Sequence, residues 1–557
     1  MIRNKSLAFI FSIVLTACGG GGGGGSSVTV PVAQAPVDNT PALSLNEAAR
    51  IADQTTFGPR MSEIEQISKE GLDAWLAQQY QASVGLHEPI VRRYLSEYGY
   101  DVNATPNPGF YRRYAFWEQA FTAPDPMRQV VAYALTQLFV VSEPTQIFVN
   151  PLALSNYYDT LLTHAFGNFE DLLLAVTLHP AMGFYLSHVN NAKTDPVANT
   201  FPDENYAREV MQLFTIGLYE LNPDGTRKTD SEGRSIPTYN NATIREFSKV
   251  FTGLSYGSTD YSPNTFFGKT NPAFNTPMLM FETYHEPGAK TLLNGYSIPA
   301  GQTGMQDIHD AVKNLFNHPN VGPFVGKQLI QRLVTSNPSP AYVARVTAAF
   351  NGDTSGVRGD MRAVINAIFT DQEAATGVRV REPFRRYLAL NRSLNAAPEE
   401  GQNYMGLGGV VQNLTGQFVL APPSVFNFYS PFYRPAGPAA QAGLSSPELQ
   451  ITTEDTVVGV TNLMAYALST GQSIDTYEGY PKINIDLSDY AALANDQEAL
   501  LDRLELEFFQ GQLSTGTRGI IRDTLSEAAG ASDQDIAKLA LYLAVISPEQ
   551  AVTGGEQ

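Results

Sequence analysis

A histidine and a lysine in one short polar turn are the first residues in this chain that could do chemistry. His285 opens the segment HEPGAKT and Lys290 follows five residues later. The histidine could act as a general base or a ligand, and the lysine could neutralise an anionic group. The structural alternative is that His285 only forms hydrogen bonds and that Lys290 pairs with Glu286.

A second candidate set lies on a predicted helix from Asp203 to Leu221, whose apolar residues recur at helical spacing. Its polar residues Asn205, Arg208 and Glu209 share another face, and Glu204 and Arg208 form an i, i+4 pair worth about 0.2–0.5 kcal/mol if exposed. One interpretation is a solvated polar stripe that also includes Gln212 and Thr215. The other is a cleft in which Asn205, Arg208 and Glu209 meet His179 and His285.

Other short motifs lack the context that their chemistry requires. Ser255 lies in a G-x-S-x-G pattern, but a predicted helix precedes it where a nucleophile elbow needs a strand. The four acidic or amide residues at the tip of the segment 221–239 lack EF-hand spacing, so a solvated turn is favoured over a calcium site. No histidine belongs to an H-E-x-x-H motif, and the sequence therefore predicts no metal site and identifies no cofactor.

The only cysteine, Cys18, indicates where the protein resides. Arg3 and Lys5 precede an apolar run too short to cross a bilayer, and Leu-Thr-Ala-Cys then fits the lipobox of bacterial lipoproteins. We expect cleavage of residues 1–17 and acylation of Cys18, including palmitate, which anchors the protein to the membrane. Gly19 in the next position favours the outer membrane. The alternative is a secreted protein with a chance cysteine.

Composition restricts the partners of the mature chain. The glycine- and proline-rich residues 18–43 predict a flexible tether. The net charge of −19 argues against nucleic acid as a partner, and 43% hydrophobic residues supply a large core. Four arginines lie close together near residue 380, and internal pairing with the excess carboxylates is the favoured role for them: Arg379, Arg381, Arg385 and Arg386.

Helical periodicity dominates the rest of the chain and predicts a mostly α, multi-helix globular body. Ser44 and Glu47 stand in capping-box spacing, and Asp125 is predicted to cap a helix that runs to Pro144. Strand is expected only in short hairpins near 221–239 and within 255–300, the latter a long ordered loop. We expect a helical core over residues 44–470 and a C-terminal helical part of the same unit over 471–557.

Five segments of the chain occur in the order typical of a large bacterial family. They are HPAMGFYLS, PDENYAREVMQLFTIGLYELNPDG, REFSKVFTG, HEPGAKTLL and GQFVLAPPSVFNFYSP. In these motifs the chain resembles the domain-of-unknown-function 1800 family. The resemblance implies a helical extracytoplasmic protein of unsettled activity, commonly encoded beside a sulfatase-like protein of the domain-of-unknown-function 1501 family.

Two functional hypotheses follow. The first is a lipid-anchored binding or assembly component of the cell envelope that acts with the sulfatase-like partner. The second is an extracytoplasmic hydrolase of a polymer or ester, with His285 or Glu209 as general base and Arg208 or Lys290 as electrostatic stabiliser. His179, Asn205 and Glu204 are further candidate binding residues.

Overall fold

The computed structural model describes residues 43–102, 107–143, 150–257, 261–268, 273–400, 404, 410–469 and 482–554. Cys18, the signal segment 1–17 and all of the tether but residue 43 lie outside these ranges. The lipid-anchor prediction therefore stays a prediction.

Helices contain most of the described residues, which confirms the mostly α class. In chain order they are α1 Leu45–Thr55, α2 Met61–Glu70, α3 Leu72–Gln81, α4 Glu88–Glu97, α5 Tyr111–Thr122, α6 Pro126–Thr136, α7 Pro151–His164, α8 Phe169–Leu178, α9 Pro180–Tyr185, α10 Asn205–Glu209, α11 Asn241–Val250 and α12 Pro263–Phe266. They continue as α13 Gly304–Phe316, α14 Val321–Leu333, α15 Pro340–Asn351, α16 Met361–Phe369, α17 Pro383–Ser393, α18 Val410–Thr415, α19 Pro438–Gln441, α20 Glu454–Ala467, α21 Ser488–Ala491, α22 Gln497–Leu504, α23 Thr515–Glu527 and α24 Asp533–Ile546. Two π-helical turns, Val210–Thr215 and Glu505–Phe509, directly follow α10 and α22.

Strand in the described ranges consists of two-residue antiparallel pairs. They are β1 Leu254–Ser255 with β2 Leu279–Met280, β3 Lys290–Thr291 with β4 Ser297–Ile298, β5 Arg379–Val380 with β8 Val552–Thr553, and β6 Ala397–Pro398 with β7 Ile483–Asn484. Isolated bridges also close the segment from Tyr219 to Pro237 as a hairpin. The predicted hairpins near 221–239 and within 255–300 are thus confirmed. The pairs β5–β8 and β6–β7 join distant segments and were not predicted.

Local capping signals explain where several helices begin. The Ser44 amide donates to Glu47 at 2.9 Å and the Glu47 amide donates to Ser44 Oγ at 3.3 Å, so the predicted capping box at α1 is confirmed. The prediction for α6 was wrong in two respects. Asp125 accepts from the Gly85 amide at 3.1 Å instead of capping its own helix, and α6 ends at Thr136. Beyond it the chain leaves the helix and binds the Leu420 carbonyl through the Glu143 amide at 2.9 Å.

Helix α17 lies at the centre of the core, and nearly all of its residues are buried. Its Phe384 packs against the rings of Phe116, Trp117 and Phe418 at centroid distances of 5.4–5.8 Å. Its Arg385 reaches the N-terminal segment and donates to the Asp53 and Thr56 carbonyls at 3.2 and 2.7 Å. Arg392 donates to the carbonyl of Gly58 at 3.0 Å. The guanidinium groups therefore satisfy carbonyls that would otherwise be buried without partners.

The same region holds the C-terminus. Arg381 pairs with Asp53 at 3.2 Å and donates to the carbonyls of Phe508 and Gln550, both at 2.8 Å. Arg386 donates to the Val545 carbonyl at 2.7 Å. The predicted pairing with carboxylates is confirmed among the described residues for Arg381 alone. The other three arginines donate to carbonyls or to the Gln550 side chain. Residues Ala42–Gln557 form one compact unit. Within the described ranges, no helix has the length and apolar character that a membrane crossing requires.

Candidate functional site

The turn that carries His285 and Lys290 is held by a buried carboxylate. Asp307 on α13 contacts His285 Nε2 at 3.0 Å and Lys290 Nζ at 2.6 Å through the same oxygen, and all three side chains are at most 2% exposed. His285 Nδ1 lies 2.9 Å from the Thr252 carbonyl. Each ring nitrogen of the imidazole therefore faces an oxygen atom of the protein, and neither is turned toward a ligand site.

Lys290 also has its donors engaged. Its ammonium group donates to the carbonyls of Glu286 and Gly288 at 2.6 and 2.9 Å, besides Asp307. An ammonium group has three donors, and each has a partner. The predicted pairing with the Glu286 side chain is replaced by a bond to its carbonyl, because the carboxylate that reaches Lys290 comes from α13.

His179 occupies a different place in the fold. It is the N-cap of α9, where its Nδ1 accepts from the Ala181 amide at 3.1 Å, and its Nε2 lies 3.0 Å from Asn156 Oδ1. Burial lowers the pKa of His179 to about 3, so the ring is neutral. The ring borders an open groove of about 740 Å³ between α4, α7 and α8.

The polar residues of α10 and its flanking residues lie partly at the surface and partly in the interior. Glu204 and Arg208 form the predicted ion pair at 3.2 Å, with both side chains more than a third exposed, and Asn205 is exposed. Glu209 is only 6% exposed, and its Oε2 has no hydrogen-bond partner among the described residues. Thr215 is also buried and donates to the Val210 carbonyl. Of the two interpretations of this helix, the single solvated stripe does not hold, because Glu209 and Thr215 are buried.

The π-helical turn Val210–Thr215 changes which residues share a face of this segment. The Ile216 amide donates to the Met211 carbonyl at 3.0 Å, a five-residue spacing that widens the helix and moves its faces away from 3.6-residue periodicity. Glu209 precedes this turn and lies near two tyrosines, Tyr185 and Tyr239. Burial, and then the charge of Glu209, raise the pKa of both hydroxyls to about 12, and burial raises the pKa of Glu209 itself. The Tyr239 hydroxyl is also buried and has no hydrogen-bond partner in the part of the chain that the structure describes.

These candidates fall into separate places. His285 and Lys290 share Asp307, and Arg208 lies beside Glu209 and Glu204. No hydrogen bond or ion pair among the described residues joins either group to the other or to His179. Their assignment as site residues stays a prediction.

A pocket that sequence reasoning missed lies between the end of the π-helical turn, α14 and the loop 425–432. Its volume is about 580 Å³ and apolar groups dominate its lining. Three of its lining residues are large apolar side chains that remain exposed to solvent: Leu218 at 49%, Phe426 at 59% and Phe432 at 64%. Exposed aromatic groups around a concave apolar site are typical of binding sites.

The polar residues that line this pocket are amides, a serine, a tyrosine and three cations, with no carboxylate among them. The cations are Arg227, Lys327 and Arg332. Arg332 donates to the Gln137 carbonyl at 3.0 Å, which fixes it against the floor. In a chain with a net charge of −19 this lining is locally positive.

A buried hydrogen-bond network supports the floor. One oxygen of Glu382 accepts from Gln137 Nε2 at 2.8 Å, from Gln417 Nε2 at 3.0 Å and from the Tyr429 hydroxyl at 2.5 Å. The Tyr429 hydroxyl also lies 3.1 Å from Gln137 Oε1. Because Gln137 faces the pocket, the network holds a neutral amide at the floor in one orientation.

Two of the family motifs supply residues that line this pocket, although their sequences did not predict a pocket. The segments TIGLYEL and PSVFNFYSP were singled out as family motifs, and both line it. Gln137, Phe324 and Lys327 carry no recognisable spacing, so only the fold brings them together.

Other candidates have structural roles. Ser255 is fully buried and donates to Asn190 Oδ1 at 2.8 Å and to the Phe266 carbonyl at 2.9 Å, which agrees with the rejection of a catalytic serine. Within the part of the chain that the structure describes, no group of three or more His, Cys, Asp or Glu side chains is placed to hold a metal ion.

Comparison with known proteins gives one family. A family model described as "Protein of unknown function (DUF1800)" matches residues 50–552. No curated protein and no solved structure matches the chain. The match covers nearly the whole chain and includes the pocket, the His285 turn and the π-helical segment, and the chain therefore belongs to the DUF1800 family.

Proposed function

We propose that this protein is a binding component of the cell envelope, anchored by lipid at Cys18, and that the pocket beside α14 is its ligand site. The observation that carries the proposal is the apolar pocket of about 580 Å³ with Leu218, Phe426 and Phe432 exposed at it. A ligand that removes exposed phenyl rings from water makes binding more favourable by roughly 25 cal/mol per Å² of apolar surface buried.

The partner in this proposal is a separately encoded sulfatase-like protein of the domain-of-unknown-function 1501 family. Support comes from the gene pairing that the family resemblance implies. A division of labour fits the chemistry of the pocket, because its lining offers hydrogen bonds and apolar surface but no carboxylate or histidine to act as general base. The chain would hold a ligand while the partner transforms it.

The test is fluorescence titration with phenylnaphthylamine, a neutral aromatic probe that brightens in apolar sites. We expect saturable binding to the purified chain in detergent-free buffer. Combined Phe426→Ser and Phe432→Ser substitutions should weaken it at least tenfold, since two large apolar contacts are lost. The matched control is Phe201→Ser, because Phe201 is 70% exposed and does not line the pocket. Equal affinity in the double variant and the control would contradict the proposal.

The partnership needs its own measurement. The sulfatase-like protein should co-purify with the native lipoprotein from envelope extracts, and its identity is established by mass spectrometry. If the two proteins separate completely even after mild crosslinking, the proposed partnership is contradicted, whereas the proposed ligand site is not affected.

A hydrolase is the second candidate, and Glu209 is the observation that favours it. A buried carboxyl group with a raised pKa and an oxygen without a partner is a suitable general base or acid. Glu209→Gln keeps the shape and removes the charge. We expect it to abolish any hydrolysis of an ester or polymer substrate with little change in thermal stability. If Glu209→Gln unfolds the protein, Glu209 is a structural residue and this candidate fails.

A further inference from the structure

Two of the cations at the pocket have no carboxylate partner. Arg227 and Lys327 form no ion pair with any described residue, and the guanidinium of Arg227 lies over the Tyr219 ring at 4.4 Å. Burial, and then the positive charge of Arg227, lower the pKa of Lys327. The two side chains thus lie close enough to repel each other, and this repulsion is relieved when an anion binds between them.

The acidic groups nearest in sequence to Arg227 are already engaged elsewhere. Glu220 pairs with Lys228 at 3.1 Å, and Asp230 pairs with Arg234 at 2.9 Å. Asp224 accepts from the Thr226 amide and hydroxyl at 2.9 and 2.6 Å. The other two cations of the hairpin, Lys228 and Arg234, are thus paired with its own carboxylates, whereas Arg227 lines the pocket.

The backbone also holds the lysine close to this hairpin. Gly225 has a positive φ of 76°, and a Cβ at this position would lie 3.7 Å from Lys327 Cδ and 3.0 Å from Val343 Cγ1. The glycine turn lets the hairpin pack closely on Val343 of α15, and this packing brings it beside Lys327 of α14. Its packing places the positive pair at one edge of the apolar lining that Phe324 and the exposed rings supply.

We propose, resting on the binding function above, that the pocket takes an amphipathic organic anion. Its aromatic or acyl body lies against Phe324 and the exposed Phe426 and Phe432. Its single anionic group, a carboxylate or a sulfate, is held between Arg227 and Lys327 by charge-assisted hydrogen bonds.

Two probes that differ in one group test this proposal. Anilinonaphthalene sulfonate and phenylnaphthylamine share a ring system, but only the first carries an anion. We expect the sulfonate to bind at least tenfold more tightly, and its affinity to fall with added salt while that of the neutral probe does not. Lys327→Met and Arg227→Met should each weaken sulfonate binding about tenfold and leave the neutral probe unchanged.

The controls are Lys313→Met and Arg245→Met, which change the net charge equally at exposed positions outside the pocket. Naphthoate and naphthyl sulfate should each displace the neutral probe at a lower concentration than naphthol does, and the ratio of their two affinities shows whether carboxylate or sulfate is preferred. Equal affinity for both probes, unaffected by Lys327→Met, would overturn this inference and leave the apolar site intact. Failure of the neutral probe to bind would instead overturn the proposed function.

Discussion

Asp307 shows how a single buried carboxylate can hold two basic side chains in a structural role. Its carboxylate contacts Lys290 and His285 at once in a site at most 2% exposed, whereas Glu204 and Arg208 form their pair at the surface. Buried charges depend on their partners because water is not available to replace them, while an exposed pair is screened and contributes little.

Asp307→Asn should therefore destabilise the protein by about 3–5 kcal/mol, because the ammonium of Lys290 is left buried without its counter-charge. Arg208→Met, the matched control in an exposed pair, should cost less than about 1 kcal/mol. Urea denaturation followed by circular dichroism measures both. Similar costs for the two variants would mean that Asp307 is not the electrostatic centre of the turn.

Glu448 gives the protein a pH dependence that can be measured. It is buried near Glu382, and one of its oxygens has no partner among the described residues. Burial raises the pKa of Glu448 to about 7 from its ordinary value of 4.5. Between these values the folded state keeps a proton that the unfolded state has released, so this contribution is complete below pH 4.5 and is lost as the pH rises to about 7.

Glu448→Gln should remove that dependence. The free energy of unfolding of the wild type, relative to the variant, should fall by on the order of 3 kcal/mol between pH 4.5 and 7 and then level off. Urea denaturation across this range measures the difference. A constant difference would show that Glu448 titrates normally in the folded protein.

At the scale of elements, the sequence was informative where the signal was local. The capping box at Ser44 and the hairpin at 221–239 depend on residues within a few positions of one another, and both are present. The end of α6 was mispredicted, because a contact from Leu420 decides where the chain goes after it. The burial of Glu209 was left open between two interpretations, since helical spacing alone does not show which face other segments cover. The pocket could not be predicted at all, since its lining comes from segments between Gln137 and Phe432.

The turn after α1 shows how closely two elements can approach. Gly58 has a φ of +130°, and a Cβ there would lie 2.3 Å from the Ala389 backbone on α17. Gly58→Ala should therefore force the turn away from α17 and destabilise the protein by about 3 kcal/mol or more. Gly233 also has a positive φ, +80°, but open space around it, so Gly233→Ala should cost only about 1 kcal/mol. Thermal unfolding of both variants gives the comparison, and equal costs would mean that the backbone conformation alone matters.

The whole molecule is expected to depend on its anchor for location. Cys18→Ala should release the protein from the detergent-soluble envelope fraction and abolish palmitate labelling, because the chain contains no other cysteine for thioether attachment. Fractionation and labelling of the wild type and the variant measure this. Unchanged fractionation, or a wild type that takes up no palmitate, would contradict the lipoprotein prediction.

Arginines of helix α17 bind carbonyls at residues 53–58, where α1 ends and the following turn begins. Arg381, just before α17, and Arg386 within it bind carbonyls at residues 508–550. We expect the centre of the core to close only after the last fifty residues are present, since contacts so distant in sequence form late. For a chain that is exported, as proposed above, this would keep the nascent polypeptide loose enough to cross a membrane. A chain that stops before residue 508 should leave Arg381 and Arg386 without these carbonyl partners.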